Sequence, residues 1–126
     1  MSVLDKCVAL ACVLTFVSST GAACAADAAR GEKKFEECAA CHKLERGEEG
    51  LGPSLYGMFG RQAATLTDFR YSPALKRSRI VWSAQTLDAF LADPQGAVPA
   101  NRMPYAGLPD AAERADLIAY LEKAFK

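Results

Sequence analysis

Cys38-Ala39-Ala40-Cys41-His42 is the stretch of this 126-residue chain on which its reading turns. The two thiols fall within one helical turn, and an imidazole follows at once. Four kinds of chemistry compete for such a string. A redox dithiol of the thioredoxin type belongs in a βαβ setting, which the flanking sequence lacks. A zinc site needs four ligands, and beyond residue 25 the Cys and His residues are Cys38, Cys41 and His42 alone. A plain disulfide remains open but leaves the adjacent His without a reason. The fourth reading uses all three residues. Each thiol adds across a vinyl group to make a thioether, and His42 is placed beneath the iron of the attached haem.

The counts support that assignment. One His in the whole chain removes most metal-hydrolase and Ser/His/Asp chemistry once it is committed here. Five Cys are an odd number and cannot all pair within the chain. Lys plus Arg is 15 and Asp plus Glu is 15, so the formal charge is zero, which argues against a nucleic-acid binder. With 51% apolar and 24% charged residues, the composition is that of one folded domain.

An iron held by His42 has room for a second axial ligand. With no other His, bis-His ligation within one chain is excluded. Met58 lies in Gly57-Met58-Phe59-Gly60, where a core role is its expected use. Met103 lies in Asn101-Arg102-Met103-Pro104-Tyr105-Ala106-Gly107, an extended, proline-restrained loop that holds the thioether outside any helix. Met103 is therefore the expected ligand, with Lys or water as the alternatives.

Upstream, residues 7 to 17 form the apolar run CVALACVLTFV behind Lys6, and small residues follow. A charged start, an apolar run of this length and a small-residue stretch describe a secretory signal peptide. The run is too short for a permanent span, which needs about 20 residues. Ala23-Cys24-Ala25 offers the A-x-A cleavage site, so residues 1–25 are read as a cleaved signal peptide and 26–126 as the domain. An uncleaved anchor and a lipid on Cys24 are the alternatives; the second lacks the expected Leu three residues earlier. Cleavage removes Cys7, Cys12 and Cys24, leaves 14 basic against 14 acidic residues, and implies a periplasmic location without stable membrane insertion.

Within 26–126 the sequence predicts an all-α fold of about three to five helices joined by long loops that wrap the haem. Asp27 caps a helix over about 28–40, and Ser83 caps one over 84–92 that Pro94 ends. Asp110 opens a third with Glu113. There Leu117, Ile118, Leu121, Ala124 and Phe125 recur at helical spacing, leaving Arg114, Asp116, Glu122 and Lys123 toward water. Gln62 to Val81 reads as a long loop with Phe69 and Tyr71 inward, and Asp93 to Pro109 as extended. Loops of this length are uncommon unless they enclose something other than protein.

Beyond the haem motif, Gly31 and Phe35, Gly52-Pro53-Ser54-Leu55, Gly57-Met58-Phe59-Gly60-Arg61, Phe69-Arg70-Tyr71-Ser72, Trp82, Pro99, the Asn101–Gly107 loop and Leu117-Ile118-Ala119-Tyr120-Leu121 follow in order. Together they resemble class I cytochrome c of the mitochondrial type and its small soluble bacterial relatives. The resemblance covers nearly all of 26–126. It implies one haem c with iron, attached through Cys38 and Cys41 and ligated by His42 and Met103. It also implies that the Pro53 carbonyl orients His42, and that Arg61, Tyr71 and Trp82 hold the inner propionate away from water. Asn101 stands where the family usually has Thr, toward a propionate or buried water, and Phe90 where it often has Tyr near the Met sulfur. Phe35 and Tyr120 lie where the first and last helices cross, with Gly31 allowing close approach.

The implied function is that of a monomeric one-electron carrier, not an enzyme. Its partners would be redox proteins: a quinol–cytochrome c reductase, a terminal oxidase, a photosynthetic reaction centre or a periplasmic dehydrogenase. The lysine ring that often surrounds the family's haem edge is thin here, with Glu37, Gln95 and Asp110 at several of its places and Arg102 retained. Arg70, Lys76, Arg77 and Arg79 read as a solvated face. The competing functions are a haem protein with an open sixth site and a thiol–disulfide oxidoreductase.

Overall fold

Each helix starts where a short polar side chain can accept from the orphaned N–H groups of a first turn. The computed structural model describes residues 25–47 and 50–125, so the expected signal peptide, all but its last residue, lies outside the described residues. Asp27 accepts from Ala29 N and Arg30 N at the head of α1 (Ala28–Ala39). Ser83 and Thr86 form a reciprocal capping box on α3 (Ala84–Ala92). Asp110 accepts from Glu113 N at the start of α5 (Ala111–Ala124). These three helices are the ones the sequence predicts.

Two short helices fall inside segments read as loops. In α2 (Pro73–Ser78), Ser72 caps a turn whose first residue is proline, with φ already set for a helix. In α4 (Pro94–Ala97), Asp93 caps Gly96 N and proline again leads. Six and four residues are too few to show an amphipathic period, which is why pattern reading passed over them. Among the described residues the only extended pairing is an isolated antiparallel bridge between Gln62 and Val81.

The frame is the crossing of α1 with α5, with α3 packed against α5. A Cβ on Gly31 would run into the Asp116 carbonyl, so only glycine lets the two backbones meet there. Phe35 and Tyr120 meet across the same crossing as a tilted pair, at 5.5 Å between ring centroids. Phe35, Leu87, Leu91, Leu108, Leu117, Ile118 and Leu121 fill the core, with Leu117 only 1% exposed. Each such side chain contributes about 1.5–3 kcal/mol by leaving water.

Arg114 and Asp116 overturn one expectation. Both are buried, at 9% and 6% exposure, rather than turned to water. Arg114 Nε donates to Asp88 at 2.7 Å, and its Nη1 donates to the carbonyls of Leu108 and Pro109, each at 2.8 Å. Asp116 accepts from the Arg30 guanidinium and from Asp27 N. A hydrophobic-period reading assigns every charge to solvent, whereas these are buried because each is paired and hydrogen-bonded.

Candidate functional site

The C-terminal end of α1 delivers the motif. Cys41 N and His42 N both donate to Cys38 O, at 3.0 and 2.9 Å, so the three side chains leave one tightened last turn. Cys38 and Cys41 are free thiols, not a disulfide. Cys38 packs against the core cluster, and burial, helped by the charge of Glu37, pushes its thiol up to about 11. At neutral pH it is a thiol rather than a thiolate.

Three features of the following loop aim the His42 ring. Nδ1 lies 2.8 Å from the Pro53 carbonyl, a contact that only a protonated Nδ1 can make as donor. Gly52 N donates to Cys41 O at 2.8 Å, folding the loop back over the motif. A Cβ on Gly52 would stand 2.7 to 3.1 Å from three atoms of the His42 ring, and one on Gly50 would stand 2.5 Å from Cys41 O. Backbone therefore lies flat against the imidazole on one side. Sequence reasoning picked out Pro53 and missed the part the two glycines play; their spacing in Gly50-Leu51-Gly52-Pro53, just after the motif, was the available signal.

Arg61 and Trp82 flank the long loop and are joined across its base, and Tyr71 within it lies near enough to feel the Arg61 charge. Gly60 N donates to Trp82 O and Trp82 N to Arg61 O, at 2.8 and 3.0 Å, joining the two segments. Arg61 donates to the carbonyls of Tyr56 and Ser54. Tyr71 is buried, as expected, with Phe69 edge-on at 4.9 Å. Burial raises its phenol pKa, and the nearby Arg61 charge works in the opposite direction. Trp82 meets Phe90 edge-on at 5.3 Å.

The two methionines separate. Met58 is 4% exposed inside the core cluster, whereas Met103 is partly buried outside it. Asn101, expected to face the cofactor, turns its side chain to the backbone. Nδ2 donates to Pro94 O and Val98 O, at 2.7 and 2.9 Å, and Oδ1 accepts from Met103 N at 2.9 Å.

The family model for cytochrome c matches residues 28–125. The chain belongs to the cytochrome c family. It is 47% identical over 88 residues to cytochrome c2 iso-2 of Magnetospirillum fulvum, covering 70% of this chain and 92% of that protein. To cytochrome c of Chlamydomonas reinhardtii it is 46% identical over 110 residues, 86% of this chain and 98% of the other. It is also 46% identical over 96 residues to the c-type cytochrome cy of Rhodobacter capsulatus, spanning 48% of that longer protein. Cytochromes c are electron-transfer proteins rather than enzymes, and their cofactor is a covalent haem c with iron. The residues present fit that group: two unpaired thiols at the attachment spacing, and an imidazole whose Nδ1 is already spent on a carbonyl.

Proposed function

We propose that this cytochrome c is an exported, periplasmic and monomeric one-electron carrier whose haem iron is held by His42 and Met103. The reading rests chiefly on the His42–Pro53 contact. With Nδ1–H donating to Pro53 O, the lone pair sits on Nε2, the nitrogen free for a metal. The same bond makes the imidazole more basic and holds its plane. Haem iron, when bound, supplies the Fe(II)/Fe(III) couple, and a thioether ligand favours the reduced state.

The chain's own residues do the rest. Cys38 and Cys41 tie the group to the end of α1. Leu55, Phe59 and Trp82 pack on the core cluster. Arg61, Tyr71 and Trp82 are the candidates for a buried propionate. Asn101 acts on the ligand loop by accepting from Met103 N. The donors and acceptors are redox proteins such as a quinol–cytochrome c reductase, a terminal oxidase, a reaction centre or a periplasmic dehydrogenase. Residues 1–25 would direct export and be removed.

Absorption spectroscopy of the oxidised holoprotein tests the ligand set. A red Met–iron charge-transfer band is expected, and Met103→Ala should abolish it and lower the potential. A spectrum that Met103→Ala leaves unchanged would instead implicate Met58. Amino-terminal sequencing of protein from the periplasmic fraction should start at Ala26; retention of residues 1–25 would overturn the export reading.

A further inference from the structure

The geometry assigns to Asn101 a positioning role: its side chain fixes the Met103 backbone and so sets how firmly Met103 holds the iron. The assignment rests on Met103 being a ligand and adds what keeps it in place. Asn101 is 8% exposed, and both hydrogens of its amide are donated within the chain, to Pro94 O and Val98 O. Those two carbonyls do not depend on it. Val98 N also donates to Pro94 O at 3.0 Å, and Asn101 N to Val98 O at 3.1 Å. What the side chain alone provides is the acceptor for Met103 N–H, through Oδ1 at 2.9 Å. The two donated bonds hold Oδ1 at the right place for that one contact.

The approach to Asn101 is itself constrained. Ala100 has φ +65°, the left-handed region that a β-carbon disfavours. A non-glycine residue stays there only when its surroundings over-determine the turn. Asn101 supplies three of those determinants, and Gln95 Nε2 adds a fourth by donating to Asn101 O at 3.2 Å. Residues 94–103 thus form one hydrogen-bonded unit, in which α4 is the base and Met103 the free end.

Competition by imidazole for the ferric iron of the full holoprotein reads this directly, because the added ligand must displace Met103. Asn101→Ala should speed imidazole capture about tenfold, the weight of one hydrogen bond of about 1.4 kcal/mol. Asn101→Thr, whose hydroxyl can accept from Met103 N–H but donate only once, should fall between. Gln95→Ala should move the rate less, in the same direction. Ser83→Ala removes a helix cap remote from the unit, so it should lower global stability without changing capture. Unchanged capture in Asn101→Ala overturns the assignment, as does an equal rise in Ser83→Ala. If Asn101→Ala yields no holoprotein, Asn101→Thr and Gln95→Ala decide, and native rates in both overturn it. Failure of the underlying ligand reading looks different: no charge-transfer band in the native protein and no change with Met103→Ala.

Discussion

The two proposed iron ligands are held in contrasting ways. His42 closes the motif, and what aims it lies close along the chain: the last turn of α1 just before it, and Gly50, Gly52 and Pro53 within the eleven residues after it. Met103 lies in a segment without helix or strand; its restraint comes from residues 94–101 behind it, and α5 anchors the same loop further on, at Leu108 and Pro109. The His side is fixed by one hydrogen bond to Pro53 and by shape, with backbone pressed on a ring. The Met side is fixed by hydrogen bonds around a strained turn. Shape of that kind fails abruptly when violated, whereas a bonded turn loosens by degrees.

Gly52→Val is the strongest way to break the contrast. Its Cβ would meet the His42 ring below 3.0 Å, so the imidazole must leave Pro53 or the loop must open. We expect a loss of about 3 kcal/mol or more, with a sharp fall in haem-loaded yield, measured by denaturant unfolding and haem absorbance. Arg114→Ala attacks the Met side from α5, freeing Asp88 and the carbonyls of Leu108 and Pro109. Charge-assisted bonds of this kind are worth about 1.5–3 kcal/mol. Denaturant midpoints should show that cost, with the haem spectrum of the His side retained.

Asp116→Asn touches the frame shared by both sides and therefore sharpens the comparison by moving neither selectively. Bonds from Arg30 and from Asp27 N hold the Asp116 carboxyl below its ordinary 3.8. A depressed carboxylate contributes stability that is full above the unfolded value and is lost as pH falls through the folded one. Urea stability measured from pH 6 down to pH 2 should fall less steeply in Asp116→Asn than in the native protein, from a lower neutral plateau. The smallest effect is expected from Ala100→Gly. Glycine relieves the positive φ but adds freedom to the unfolded chain, so the net gain should be under about 1 kcal/mol. Thermal unfolding would show it, and an equal loss would mean that the turn is not strained.

Legibility in the sequence followed the same division. The motif and the capped helices α1, α3 and α5 could be read because their determinants are near neighbours in the chain, whereas Pro53 as the partner of His42 came only with the family resemblance. Met58 could be placed in the core from its apolar company. The part Asn101 plays in the ligand loop is not legible, because its partners, Pro94 O and Val98 O, are backbone groups that no residue pattern announces. Arg114 and Asp116 were placed in water for a related reason: Asp88 and Arg30, which neutralise them, lie 26 and 86 residues away. Short α2 and α4 carry cap signals but no period.

The crossing at Gly31 has a consequence for how the molecule is made. α1 finds its main partner in α5, the last helix of the chain, so the segment bearing Cys38 and Cys41 stays undocked until residues near 121 have arrived. A chain that emerges amino terminus first therefore offers both thiols while its final helix is still to come. In the folded chain both thiols are half-buried, so they are most open before α5 has docked.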